Sequence, residues 1–295
     1  MNSGFVNLLK PSGVTSHEMV NALRRVFSTR SVGHMGTLDP AAAGVLPIAV
    51  GKATRLIPYV GGTDKVYRAE IWFGLATDTE DTQGKILQRH PVWDLPEADI
   101  KKALSGFVGP SAQIPPMFSA LKVNGKRLYQ LARNGQEVER APRDVHIASI
   151  ELLSYSQRES TAVALIQVQC SRGTYVRSLC RDVGASIGLP ACMGFLLRER
   201  SGPFTLTESV TLPELREAPV LIPPAQMFPP ASRLLLDPCA ALRFVQGQRV
   251  SIDAVDGSYA VLLGETMLGV GEVGGGVMAP ARVLVERSDL SFERY

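Results

Sequence analysis

The sequence is poor in the features that mark several large functional classes. Its four cysteines, Cys170, Cys180, Cys192 and Cys239, are scattered and form no C-x-x-C pair. That argues against a zinc cluster or a disulfide framework and for the reduced, mostly buried thiols of a cytoplasmic protein. His17, His34, His90 and His146 are equally dispersed and no H-E-x-x-H occurs, so no metal site is expected. There is no P-loop and no dinucleotide-binding βαβ fingerprint, so no nucleotide cofactor is expected either. No stretch approaches the apolar length of a membrane span. The N-terminus lacks the basic flank, apolar run and small-residue cleavage site of a signal peptide.

What is present is an ordinary globular composition. The chain has 295 residues, 45% hydrophobic and 20% charged, enough for a large domain with a small one beside it. A net charge of +3 says little about partners. The placement of the cations says more. Lys122, Lys126, Arg127, Arg133, Arg140 and Arg143 crowd one region, with Phe118 and Tyr129 interleaved, a composition that suits an RNA-facing surface.

Local patterns divide the chain into elements. Phe5 to Leu9 reads as a short buried strand. Thr15 starts a helix with Glu18 completing a capping box, and Met19, Val20, Leu23, Val26 and Phe27 form its apolar stripe. Val45 to Val50 reads as a strand and Lys52 to Tyr59 as a helix. Lys65 to Phe73 alternates, with Tyr67, Ala69, Ile71 and Phe73 on one face. Thr77 to Gly84 is an acidic turn that lacks the spacing and terminal glutamate of an EF-hand, so its carboxylates are expected to tie the turn or pair with arginines. Pro96 to Leu104 reads as a helix. Asn124-Gly125 signals a tight turn, and a short helix from Arg127 to Arg133 ends at Asn134-Gly135. Two strands follow, about 145–155 and 162–170, then a helix with Val176, Leu179, Val183 and Ile187 inward. Pro219, Pro223, Pro224, Pro229 and Pro230 mark a linker. Short β-type runs separated by glycine-rich turns follow it, as in a small β-barrel.

The chain is organised around Gly33-His34-Met35-Gly36-Thr37-Leu38-Asp39-Pro40. Two glycines permit unusual backbone angles and close approach of a ligand, and Pro40 biases Asp39 towards extended geometry. A carboxylate held in so defined a pose suits a nucleophile or a general base. The same residues also suit a helix start, with Asp39 as N-cap and Pro40 at the first helical position. A second singular residue is Arg177. It falls in a helix first turn, where the helix dipole disfavours a cation, so an anion is expected beside it.

Gly-His-Met-Gly-Thr-Leu-Asp-Pro-Ala-Ala-Ala-Gly-Val-Leu-Pro-Ile resembles the catalytic motif of the TruB family, the tRNA pseudouridine-55 synthases. Lys10-Pro11-Ser12-Gly13-Val14-Thr15-Ser16, the Pro115-Pro116 to Tyr129 segment, Gly173-Thr174-Tyr175-Val176-Arg177 and Phe195 to Phe204 resemble further motifs of that family, in the right order. Leu197 and Glu199 depart from the usual arginine and threonine of the last motif. The resemblance implies an α+β fold. A catalytic domain over 1–230, with a long antiparallel or mixed sheet flanked by helices and an RNA-binding insertion at about 110–145, would precede a PUA-like β-barrel over 231–295. It implies isomerisation of one uridine in the T-loop of tRNA, with base flipping and no cofactor. The partner would be the T-arm stem-loop, with no obligate protein partner, no membrane and a monomeric state.

It also assigns roles. Asp39 would be the catalytic residue, with attack on the ring, attack on the sugar and action as a base all left open. Arg177 would partner it, and Tyr67 would stack on the uracil and relay the C5 proton. His34, Tyr175, Leu196 and Lys10 would contact RNA or brace the pocket. His34 would fill the space the base vacates, unless it is a loop histidine bonded to its own backbone. Two other readings compete. One is a tRNA-binding or RNA-chaperone protein whose catalytic set is idle. The other is a phosphatase with Asp39 as nucleophile, which would want a D-x-D or a carboxylate cluster that the sequence lacks.

Overall fold

Strand β1 (Gly4–Lys10) is buried along nearly its whole length and pairs antiparallel with β3 (Ala43–Val50). Between them lie helix α1 (Ser16–Val26) and the short strand β2 (Val32–His34), which pairs with the same β3. The computed structural model describes residues 3–60, 64–123 and 125–286, the Lys122 side chain excepted. Asn124 of the expected tight turn therefore lies outside the described residues, as do 287–295 of the expected C-terminal domain. Helix α1 starts where Thr15 caps the Glu18 amide and Glu18 reaches back to the Thr15 amide, a reciprocal cap that satisfies two orphan donors. Met19, Val20 and Leu23 are buried under it as the apolar spacing requires.

The chain continues through β4 (Asp64–Phe73), β5 (Leu75–Thr77), β6 (Ile86–Arg89), α2 (Glu97–Ser105) and β7 (Gly109–Gln113). The small hairpin β8 (Lys122–Val123) and β9 (Lys126–Arg127) leads into α3 (Leu128–Arg133). Then come the long hairpin β10 (Arg143–Arg158) and β11 (Thr161–Ser171), helix α4 (Val176–Ser186), β12 (Ala191–Ser201) and β13 (Phe204–Thr205). Nine of these strands build one sheet in the order β1-β3-β12-β4-β11-β10-β7, with β13 on β12 and β2 on β3, while β5–β6 and β8–β9 pair separately. The β3–β12 contact is parallel and the other pairings are antiparallel, so the sheet is mixed. One large core gathers its inward residues, among them Tyr67, Ala69, Ile71 and Phe73 of β4, with those of α1 and α4.

The segment 52–59 is not the expected α-helix. A 3-10 helix (Gly51–Leu56) fills it instead. Gly51 enters with φ +65, and Pro58 has no amide proton to donate to an i→i−4 ladder.

The proline cluster is packed rather than free. After α5 (Leu212–Glu217), Ile222 exchanges two backbone hydrogen bonds with Phe5 of β1, at 2.9 and 2.8 Å. Phe228 is buried, and the prolines run through two 3-10 turns, Pro224–Met227 and Pro230–Ser232. The C-terminal part contains β14 (Arg233–Leu235), α6 (Pro238–Val245), β15 (Val250–Ser251), β16 (Gly257–Leu263), β17 (Thr266–Gly274) and β18 (Val277–Val283). Its five strands form one sheet, β14-β16-β17-β18-β15. Among the described residues this is an open sheet and not the closed barrel expected from the strand pattern. Its end strands span only three and two residues, and α6 packs against it through the buried Ala241 and Phe244. Ala260, Leu262, Met267 and Val270 share a second core with Phe5, Val45, Ala49 and Phe204, joining the two sheets. Burying a side chain such as Phe5 stabilises by about 2–3 kcal/mol. No helix among the described residues is long and apolar enough to cross a membrane.

Candidate active site

The Asp39 loop leaves β2 and returns on β3, and nearly every polar group along it is tied down. The Ala42 amide donates to the Asp39 carbonyl at 3.1 Å, closing a turn with Pro40 in its second position. Asp39 therefore opens a β-turn and does not cap a helix. The Ser16 hydroxyl at the start of α1 donates to the Leu38 carbonyl and accepts from the Leu38 amide, both at 2.9 Å. Lys10, fully buried, donates to the carbonyls of Pro11 (2.9 Å), Pro40 (3.2 Å) and Ala42 (2.7 Å). All three of these bonds go to backbone of the Asp39 loop or its approach. Burial drops its ammonium to about 8 despite the opposing pull of Asp39.

Arg198 grips the loop from the other side. It sits on β12 at zero exposure and donates to the carbonyls of Val45 (2.7 Å), Thr37 (3.3 Å) and Gly36 (3.0 Å). Gly44 lies directly opposite Arg198 in the parallel pairing. Its φ is +111, and a Cβ there would stand 2.2 Å from the Arg198 carbonyl oxygen, so only glycine fits. With its backbone so held, the loop presents the Asp39 side chain 39% exposed, with Oδ2 in an ion pair with Arg177 at 3.0 Å.

Arg177 is the second residue of α4, buried to 4% exposure. Its guanidinium donates to the carbonyls of Thr79 at 2.9 Å and Phe118 at 2.8 Å and forms an ion pair with Asp39. The cation stands at the positive end of its helix, and the carboxylate beside it is the anion its position calls for. Gln113 fixes the helix entrance by a reciprocal pair with the Tyr175 backbone, at 2.9 and 2.7 Å. Farther along α4, Ser178 and Arg181 hold Glu80 of the acidic turn. The other carboxylates of that turn bind its own amides and hydroxyls. Among the described residues no group of three His, Cys, Asp or Glu is placed to hold a metal ion.

Tyr67 pairs with Arg198 across β4 and β12, and both point to the same face. Burial raises the Tyr67 hydroxyl, with the Arg198 guanidinium opposing, so at neutral pH it carries its proton. Leu196, two residues before Arg198 and buried, lies opposite Ala69. His34 accepts a long hydrogen bond, 3.4 Å, from the Gly36 amide at Nδ1. Burial first, then Arg198, lowers its imidazole below the usual value, so it is neutral near pH 7. Tyr175 caps α4, its hydroxyl raised by burial and influenced by Ser119, Arg143, Arg177 and Asp39.

Asp39, Arg177, Tyr67, Tyr175, Lys10, His34 and Leu196 thus converge on one region. Sequence reasoning passed over Arg198 and Lys65. The signal was available: each falls two residues from a buried apolar or aromatic position, Leu196 and Tyr67, on a strand of period two. Glu199 faces the other way and pairs with Arg68 at 2.7 Å, which places that departure from the family motif outside the pocket.

A second polar region lies on the insertion. Tyr129 of α3 is flanked by the Arg127 and Arg133 guanidinium groups, 5.9 and 5.6 Å from its ring centroid. Tyr129 and Arg133, with Lys126, Gln130, Asn134 and Gln136, line an open concavity of about 600 Å³.

Residues 24–176 match the family model described as TruB family pseudouridylate synthase (N terminal domain). The chain is 48% identical over 245 residues to the tRNA pseudouridine synthase B of Symbiobacterium thermophilum, covering 83% of this chain and 82% of that protein. It is 43% identical over 284 residues to the protein of the same name from Carboxydothermus hydrogenoformans, covering 95% and 98%. A chain in the crystal structure of a Cbf5-Nop10-Gar1 complex superposes with a TM-score of 0.70 at 25% identity, over 97% of this chain and 86% of that one.

Proposed function

The chain belongs to the TruB family and is a pseudouridine synthase, and from that premise we propose that it converts uridine-55 in the T-loop of tRNA to pseudouridine. The observation that carries the reading is the Asp39 carboxylate, held at 3.0 Å by a buried arginine in a loop whose carbonyls are bound on both sides. The reaction breaks the bond from ribose C1′ to uracil N1, turns the base and joins C1′ to C5. C5 then loses its proton and N1 gains one. No electrons or external groups are exchanged, so the reaction calls for no cofactor.

The reading assigns each residue a role. Asp39 acts at the glycosidic bond, and the planar fork of Arg177 fixes its orientation. Tyr67 stacks on the uracil, and its hydroxyl, protonated at neutral pH, is placed to relay the C5 proton. A base inside a folded loop is out of reach, so the target uridine is extruded into the pocket at a cost of a few kcal/mol. His34 fills the vacated place, while Leu196 and Tyr175 line the pocket. Lys10 supports it by holding the catalytic loop. Residues 1–230 form the catalytic domain, with the insertion at about 110–145 laying its Tyr129 cluster along the T-arm. Residues 231–295 form a PUA-like RNA-binding unit. The enzyme acts as a cytoplasmic monomer without an obligate protein partner.

The test is incubation with unmodified tRNA, and separately with an isolated T-arm stem-loop, followed by mapping of pseudouridine. Conversion at the T-loop uridine in both is expected. Conversion elsewhere, or in neither, refutes the assignment.

A further inference from the structure

Two lysines flank this pocket, and they are held differently. The Lys10 ammonium is saturated by three carbonyls. Lys65, near the start of β4, has no side-chain hydrogen bond or ion pair among the described residues, and it is half-buried. It precedes Tyr67 by two residues on the same strand face, about 7 Å along the strand. Its ammonium comes to 3.3 Å from the point above Gly36 where a Cβ would sit, and an Arg198 nitrogen comes to 3.7 Å from the same point. Two cations therefore border one bare stretch of backbone, three residues before Asp39.

Among the described residues no carboxylate is paired with either of them. Arg198 spends its hydrogen bonds on carbonyls. The charged groups acting most on Lys65 besides Arg198 include Arg172, another cation, and burial holds its ammonium down at about 8. Cys170, opposite Lys65 on β11, supplies no negative charge, because burial pushes its thiol up to about 11. Asp39 is engaged by Arg177 and Glu18 by its helix cap. A half-buried, unpaired ammonium beside a guanidinium, next to glycine backbone that lets a ligand approach, is the local chemistry of an oxyanion site.

We propose that Lys65, assisted by Arg198, binds a phosphodiester adjoining the target uridine and so fixes the extruded nucleotide over Asp39. The inference rests on the pseudouridylation reading above and adds to it a phosphate site at Gly36. Lys65 then acts as a positioning residue, and its loss should slow the chemical step through misplacement of the nucleotide.

The test combines protein and substrate changes. T-arm stem-loops carrying a single methylphosphonate, 5′ or 3′ of the target uridine, are compared with the all-phosphate stem-loop in single-turnover assays with wild type, Lys65→Met and Lys65→Arg. One neutralised position should slow wild type by roughly ten- to a hundredfold. The same change should slow Lys65→Met by less than about threefold, because the contact is already gone. Lys65→Arg, which keeps the cation, should retain the wild-type sensitivity. Thermal melts report whether each variant is folded. The wild-type substrate series overturns the proposal without any variant if neutralising either phosphate has no effect. Losses that multiply in Lys65→Met at both positions overturn it too. Wild type that converts the all-phosphate stem-loop but shows no phosphate sensitivity leaves the function standing and removes this site. Wild type that converts nothing removes both.

Discussion

The Asp39–Arg177 pocket and the basic region around α3 use the same residue types under opposite conditions. In the pocket, Lys10, Arg177 and Arg198 are buried and each is fastened to named carbonyls. On the insertion, Lys126, Arg127 and Arg133 lie at the surface around one tyrosine. A buried guanidinium with several bonds sets positions to fractions of an ångström. Exposed cations are screened by salt and contribute attraction with little geometric demand. One region should therefore govern the rate of the chemical step, and the other the affinity and its ionic-strength dependence.

The largest expected effect is at Asp39. Asp39→Asn keeps the shape and removes the charge. Pseudouridine formation should fall to background while tRNA binding stays within a few-fold, as measured by single-turnover assay and filter binding. Residual turnover well above background would take the reaction away from this carboxylate.

Glycines sharpen the contrast next. Gly44→Ala must place a Cβ 2.2 Å from a backbone oxygen, whereas Gly135 on the insertion, with φ +70, has open space around it. Gly44→Ala should destabilise by several kcal/mol or prevent folding, and Gly135→Ala by about 1 kcal/mol. Equal melting temperatures for the two variants would break the comparison.

Arg177→Lys tests geometry against charge. Lysine keeps the cation but loses the planar fork, and small misplacements at a reacting centre can cost about a hundredfold. Lys and Met substitutions should both lose most of kcat. A near wild-type rate for Arg177→Met would dissolve the Asp39–Arg177 pair as a functional unit.

Tyr67→Phe keeps the ring, and Tyr67→Leu loses both ring and hydroxyl. If the hydroxyl relays the proton, Phe should accumulate a rearranged base that still carries its C5 hydrogen; if the ring only stacks, Phe should be nearly active. Full activity in the Leu variant would exclude both.

The smallest effect on chemistry should come from the insertion. Arg127→Ala with Arg133→Ala should weaken RNA binding about three- to tenfold and flatten its salt dependence. The single-turnover rate at saturating enzyme should be unchanged. A fall in that rate matching Arg177→Lys would show that the two regions are not separable.

Much of this division could be read from the sequence where the determinants are local. The Thr15–Glu18 cap, the alternation along β4 and the apolar stripe of α4 each depend on near neighbours, and each lies as its pattern requires. Arg177 was legible because its helix position is locally unfavourable. Asp39 was ambiguous, since Asp-Pro suits a helix start as well as a turn, and contacts from Lys10 and Arg198 accompany the turn. Arg198 itself was hidden because its partners are carbonyls about 150 positions away. The packed proline segment also depends on a distant surface, Phe5 of β1.

The order of strands bears on how such a protein is made. β12 lies between β3 and β4, which precede it by most of the catalytic region. A chain growing from the ribosome releases β3 and β4 long before the strand that must join them, so until then both expose unpaired edges and the Asp39 loop lacks its Arg198 brace. Competence for catalysis thus arrives late in synthesis, when β12 closes the gap, and a nascent or truncated product ending before residue 191 would carry the signature loop without a working site.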